Sequence, residues 1–535
     1  MSSSTSGMSL AQQIGQLFVV GFQGTTPSPE IVELIQKHAV GNVILFSRNA
    51  QNAQQVFELT QSLQALARAA GHRFPLLISI DQENGMVQRL GQDATGFPGN
   101  MALGAIGSEQ MTFDIAQATG RELKALGITM NLAPVADVNN NPANPVIGIR
   151  SFGEDPQQVA HLVAAAVGGY RAAGVIATLK HFPGHGDTAT DSHLALPVVP
   201  HSRARLEQIE LVPFKQGIAA GAESIMSAHV ALPAITGDEA LPATISPVVL
   251  RGLLREELGF GGVVISDCLE MQAISEGVGI GPGAVMTLKA GADLVLISHR
   301  YERQRAGLAA VQAAVQDGSL SQDELHQAIE RVLQLKQRAL SWDRLPTQAD
   351  LAVVGSTAHQ QLQDRAYALT TTLVRNEAGL VPLLLQPDAR LLVVSQRQEK
   401  AVTQAEDKNY PDGFLAERIR QRGCHVEEVN LPAQPGEDDY QKTLQAAYAA
   451  DVTLLLTMRA LGNRHQTAMM QRLVDSGRPL VGIAVHTPYD LLACPQLQTY
   501  LTTYEYTRPA LTAAIRVLFG EIQAKGHLPI TLSLS

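Results

Sequence analysis

Residues 155–193 read DPQQVAHLVAAAVGGYRAAGVIATLKHFPGHGDTATDSH. Asp155–Ala173 is amphipathic at helical spacing. Ile176–Lys180 is a short apolar run of strand length, and a loop of Gly, Pro and small polar residues follows it. A helix that feeds a strand ending in a polar loop is one unit of a parallel α/β fold. The unit recurs on both sides. Strands are expected at Leu17–Phe22, Asn42–Phe46, Leu76–Ile80, Thr129–Leu132, Ile176–Lys180, Ser224–Ala228, Val263–Ser266 and Leu294–Ile297. Amphipathic segments such as Asn52–Ala69, Glu109–Leu126 and Ser246–Leu258 lie between them. About eight repeats in roughly 300 residues fit a closed (β/α)8 TIM-type barrel better than an open sheet.

A long helix, Gln322–Ala339, leads to Trp342 and Pro346 and then to a second unit. A helical stretch from about Leu351 precedes expected strands at Leu391–Ser395, His425–Asn430, Val452–Thr457, Leu480–Ala484 and Leu501–Tyr504. The expected organisation is a barrel over residues 1–343 and a smaller three-layer α/β/α sandwich over 350–535. The chain of 535 residues carries a net charge of −10, which argues against nucleic acid or an anionic membrane as partner. Cys268, Cys424 and Cys494 are too few and too scattered for a disulfide framework or a zinc finger. The opening MSSSTSGMSLAQQIGQL lacks a basic region followed by an apolar run, and no stretch is long and apolar enough to span a membrane. A cytoplasmic protein is expected.

In a parallel barrel, reactive side chains belong at the C-terminal ends of strands. Three such ends carry them. Asp81 follows the run LLISI, with Arg89 downstream, and suits hydroxyl binding, although Asp there also serves as a helix cap. Lys180 and His181 end the strand of the opening quotation and are poor core residues. In the loop beyond, Asp191 and His193 are two positions apart, so an extended segment would place both on one side. A carboxylate beside an imidazole orients it for general acid/base work. His181, His185, Asp191 and His193 are also a set of metal-ligand types, but no H-x-x-x-H on a helix accompanies them, and no metal is expected. Asp267 ends the run GVVIS and can act as a carboxylate nucleophile or, again, as a cap. Its neighbour Cys268 reads as a small packed side chain, with no Cys–His constellation beside it. A carboxylate nucleophile and a separate acid/base are the requirement of a retaining glycosidase. No phosphate-cradling or dinucleotide glycine motif follows any strand, and no cofactor is expected.

These segments resemble the family 3 glycoside hydrolases, in particular their β-N-acetylhexosaminidase branch. The matching motifs are GNVILF (Gly41–Phe46), IDQENGMVQRL (Ile80–Leu90), NLAPVADVNNNPANPVIGIRSFGEDP (Asn131–Pro156), KHFPGHGDTATDSH (Lys180–His193), LREELGFGGVVISDCLEM (Leu254–Met271) and RVLFGEIQAKGHLPITL (Arg516–Leu532). The resemblance implies Asp267 as nucleophile and His193 as acid/base supported by Asp191. It implies Asp81, Arg89, Arg150, Lys180 and His181 as the residues that hold the sugar. It further implies an exo-acting retaining β-N-acetylglucosaminidase acting on a small soluble glycoside, such as a muropeptide fragment from cell-wall recycling. The sequence departs from the branch at Asn84 and Met86, where Gly and Arg are more usual, and at Cys268. Asn84 and Met86 are expected to flank the sugar pocket.

Other readings are a phosphorylase of the same family, a β-glucosidase-like glycosidase, a non-catalytic sugar-binding protein, and a lyase or aldolase with Lys180 as Schiff base. Glu505 reads as a surface loop residue. The second domain either packs on the barrel or helps to assemble a homodimer, and the residues leave that open.

Overall fold

The computed structural model describes residues 7–533 apart from 387, 399–402, 404, 408 and 409. Eight strands form the first sheet: β1 Phe18–Val20, β2 Asn42–Leu45, β3 Leu77–Ile80, β4 Met130–Asn131, β5 Ile176–Phe182, β6 Ser224–Ser227, β7 Val263–Ser266 and β8 Val295–Ile297. Each pairs in parallel with its neighbour in sequence, and β1 pairs with β8 through Val19 and Leu296. A bridge between Ile265 and Leu294 brings β7 to β8 and closes the barrel. All eight strands are buried along their whole length, which is why they read as continuous apolar runs without alternation. The helices between them begin on the residues that cap well. Asn52, Ser108 and Asp155 each accept a hydrogen bond from a first-turn N–H, and Pro156 occupies the first turn after Asp155.

The second sheet holds β9 Thr372–Asn376, β10 Arg390–Gln396, β11 His425–Leu431, β12 Val452–Thr457, β13 Leu480–Ala484 and β14 Thr499–Thr502. Their order is β11-β10-β12-β13-β14-β9, parallel except for β9, which runs antiparallel to β14. Alternation sorts its side chains to two faces. Leu391, Val393, Leu454 and Leu456 pack with Leu415, Ile419, Leu511 and Ile515 of the helices Phe414–Arg420 and Arg508–Leu518. Leu392, Val394 and Leu455 pack with Tyr440, Met469 and Leu473 of the helices Glu437–Ala449 and Arg464–Asp475 on the other face. This is the expected three-layer arrangement. The edge strand β9 was not expected. Only one of its five residues is buried, so TLVRN carries no apolar run to mark it.

The two sheets share a core. Met86, Met101, Ala102 and Ala105 from the segment after β3 belong to the same apolar cluster as Leu415 and Ile515. Polar ties reinforce the contact. His359 Nδ1 lies 2.7 Å from Glu122, and the backbone N–H of His527 donates to Ala105 O at 2.9 Å. Glu505, expected on a surface loop, is only 1% exposed. It accepts from Gly99 N at 2.9 Å and from the Tyr367 and Thr507 hydroxyls, so a carboxylate from one half anchors a turn of the other. Its position was misread because the partners that bury it lie more than a hundred residues away. Among the described residues, no helix is long and apolar enough to cross a membrane.

Candidate active site

The C-terminal ends of the barrel strands open into a cavity of about 740 Å³. Asp81, Arg89, Arg150, Lys180, His181, His193 and Asp267 all line it. Asp191 stands behind His193 and is 8% exposed. Every residue expected at the site therefore converges on one cavity or supports one that does.

Asp267 leaves the end of β7, where its backbone N–H donates to Ser227 O on β6 at 3.1 Å. Its Oδ1 accepts the N–H of Cys268 at 2.7 Å. Burial pushes its carboxyl up. The imidazoles of His229, His181 and His193 and the Cys268 N–H outweigh that and hold it below the usual carboxylate range. A group in that state is an anion at neutral pH.

His193 sits on the loop after β5. Its Nδ1 lies 2.7 Å from Asp191 Oδ1, which also accepts the His193 backbone N–H at 2.9 Å. The pairing is as expected, but its geometry is not that of an extended segment. Residues 192–194 form a turn, and the Asp side chain captures the N–H two positions on. The other ring nitrogen, Nε2, is left for the cavity. Burial pushes the Asp191 carboxyl up, and its bonds from His193 more than offset this and lower it. The loop is latched by His185, 2% exposed, whose ring nitrogens lie 2.9 Å from the hydroxyls of Thr188 and Ser192. Burial holds the His185 imidazole down at about 4, so it latches the loop as a neutral ring. Its backbone N–H donates to Asp137 at 2.7 Å.

The sugar-holding candidates are joined by two acids that the sequence did not single out. Lys180 Nζ lies 2.7 Å from Asp81 and 2.6 Å from Glu83. Arg150 grips Glu83 with both arms of its fork, Nε at 2.9 Å and Nη2 at 2.7 Å. Burial raises the Glu83 carboxyl, but Arg150 and Lys180 overcome that and pull it far below its ordinary value. Asp137, 0% exposed, accepts a hydrogen bond from His181 Nδ1 at 2.7 Å, and the His181 Nε2 faces Arg150 Nη2 at 3.4 Å. A guanidinium only donates, so this Nε2 accepts and the ring proton sits on Nδ1. Their signal was present in the sequence, since Glu83 is two residues beyond Asp81 and Asp137 lies in a quoted motif. Their partners, however, come from other strands.

Three expectations need correction or refinement. Asn84 and Met86 do not line the sugar cavity. They face a small cavity behind Glu83, shared with Tyr504 and Glu505. There the Asn84 side-chain amide donates to the Thr119 hydroxyl at 3.1 Å, and Met86 is buried against the second half. Arg89 lines the main cavity, where its Nη1 donates to Asp407 at 2.6 Å and its Nη2 to Ala405 O at 2.7 Å, while its buried Nε has no partner among the described residues. The second half of the chain thus supplies a wall of the site, with Ala405, Glu406 and Asp407 all lining it. Cys268 is packed as expected, and burial pushes its thiol up to about 12. A Cys–His constellation nonetheless exists there, because His299 arrives from β8. Among the described residues, His181, His185, Asp191 and His193 do not converge on a common metal position.

A model of the glycosyl hydrolase family 3 N-terminal domain matches residues 9–335. Beta-hexosaminidase A of Pseudoalteromonas piscicida is 33% identical, over 95% of this chain and 92% of its own length. A solved family 3 β-N-acetylglucosaminidase from Paenibacillus sp. str. FPU-7 is 40% identical with a TM-score of 0.91, covering 99% of this chain and 100% of that one. A fungal multi-domain β-N-acetylglucosaminidase of the same family is 42% identical with a TM-score of 0.93, and this chain covers 61% of its length while being itself covered to 98%. With a barrel of this topology, an acid at the end of β7 and matches along the whole chain, the protein belongs to the family 3 glycoside hydrolases.

Proposed function

We propose that this glycoside hydrolase is an exo-acting retaining β-N-acetylglucosaminidase. The observation that carries the reading is that an ionised Asp267 and the Asp191–His193 pair reach one cavity from separate strands. Asp267 attacks the anomeric carbon as the glycosidic C–O bond breaks, and the imidazole gives its Nε2 proton to the departing oxygen. Glycosyl-Asp267 then forms. In the second half, neutral His193 takes a proton from water, whose oxygen attacks the same carbon and releases the carboxylate. Asp191 orients the ring and stabilises the imidazolium. An imidazole in this place avoids setting a second anion beside Asp267, which would raise one of the two carboxyls. Asp81, Arg150, Lys180, His181 and Arg89 hold the sugar, and Glu83 and Asp137 hold those residues in turn.

The named activities of the relatives support the N-acetylglucosamine specificity. A cavity of about 740 Å³ suits a small glycoside, and the reading extends to cell-wall-derived fragments as the natural substrate. The test is a panel of nitrophenyl glycosides of N-acetylglucosamine, N-acetylgalactosamine, glucose and xylose, run on wild type and on Asp267→Ala. N-acetylglucosaminide is expected to be cleaved best, and the substitution to cut the rate at least about a thousandfold. Undiminished activity in the variant would sink the assignment. Adding inorganic phosphate should leave the rate unchanged. Accumulation of sugar 1-phosphate would mark a phosphorylase instead.

A further inference from the structure

One cluster on the wall of the cavity has no part in this reaction. Cys268 and Glu270 follow β7, and His299 follows β8. One ligand atom from each lies within 4.8 Å of the others, and all three residues line the cavity. The turns that carry them are tied together, since the His299 backbone N–H donates to Glu270 Oε2 at 2.5 Å. The other carboxylate oxygen, Oε1, is buried and has no hydrogen-bond partner. A buried acceptor with nothing to accept is costly and asks for a ligand. Among the described residues neither ring nitrogen of His299 has a hydrogen-bond partner, and the ring is set by packing on Phe46, with centroids 5.2 Å apart. One thiol, one imidazole and one carboxylate, open on the cavity side, are the donor types that zinc takes with a position left for water.

Neighbouring charge decides which cation fits. The Arg48 guanidinium is held beside the cluster by the carbonyls of Phe22 and Ser298, each at 2.8 Å. A fixed positive charge there disfavours calcium or magnesium, which prefer oxygen ligands and gain little from sulfur or nitrogen. The repulsion acts on every divalent cation alike, and an ion that forms strong bonds to sulfur and imidazole is the one able to offset it.

We propose that Cys268, Glu270 and His299 form a binding site for a zinc-type divalent cation, and that its occupation slows turnover. On binding, the Cys268 S–H proton leaves to solvent and a metal–sulfur bond takes its place. The cation then stands one residue from Asp267. Its charge weakens that carboxylate as a nucleophile, and its bulk narrows the cavity. The site itself does not depend on which sugar the enzyme prefers.

The test titrates the full chain with Co²⁺ and then Zn²⁺. Cobalt bound through Cys268 gives a sulfur-to-metal charge-transfer band, and zinc should displace it at one equivalent per chain. Cys268→Ser is expected to abolish the band, and the exposed His299→Gln to weaken zinc binding at least about tenfold. Inhibition of nitrophenyl glycoside cleavage by zinc should be reversed by a chelator and relieved in both variants. Melting curves of the metal-free variants establish that both are folded. No charge-transfer band at saturating cobalt, or zinc binding and inhibition untouched by both substitutions, would overturn the proposal.

Discussion

At the scale of the single residue, Asn84 shows what a departure from the family pattern costs. It holds φ +69°, a left-handed conformation that a side chain normally resists and that Gly or Asn tolerates best. Its amide is paired with Thr119 at 3.1 Å. Asn84→Ala is therefore expected to lower stability by about 1–3 kcal/mol, and Asn84→Gly by less, as measured by denaturant midpoints. The residues that the sequence made legible share one property. Asp81, Lys180 and Asp267 each terminate an apolar run, so their position follows from local pattern alone. Glu83 and Asp137 were not legible as site residues because their meaning lies in Arg150, 67 positions away from Glu83, and in His181, 44 away from Asp137.

At the scale of the element, the loop from Pro183 to His193 behaves as a built part. His185 pins it internally, and Asp187 ties it to His201 at 2.7 Å, ahead of the helix Arg203–Gln208. His185 also lines the cavity, but both of its ring nitrogens are engaged by Thr188 and Ser192, so its effect is on placement. His185→Ala is expected to reduce kcat about tenfold to a hundredfold while KM changes much less. It should also raise amide exchange across residues 183–193. Loss of KM alone, or an unaltered exchange pattern, would contradict that role. Strand legibility follows the same logic as the site. The eight barrel strands, β10 and β12–β14 are wholly or mainly buried runs and could be read, and the edge strand β11 was expected as well although only its last residue is buried. β9 is an edge strand added by tertiary contact with β14, and nothing within its own residues announces it.

For the whole molecule, pH is the variable that the charge arrangement controls. Glu83, Asp137, Asp191 and Asp267 all have lowered carboxyl values in the folded chain. Their contribution to stability is fully present above the unfolded value near about 4, and is lost as pH falls through the lower folded values. Asp490 runs the other way. It is 0% exposed, its Oδ2 has no partner, and burial pushes its carboxyl up to about 6. Its contribution is present below about 4 and is lost as pH rises through about 6. Stability is thus expected to fall steeply below about pH 4, while Asp490 draws it down between about pH 4 and 6, after which its effect is constant. Asp490→Asn should remove the second decline and gain up to roughly 3 kcal/mol at pH 8, with little change at pH 4, in urea denaturation.

The wall that Ala405 and Asp407 add to the cavity joins chain segments more than 300 positions apart through Arg89. An occupant of that chamber is gripped by both halves at once. Its binding energy cannot be credited to either half alone, and it must protect both against heat by mass action. A tight sugar mimic would weld barrel and sandwich into a single cooperative melting unit.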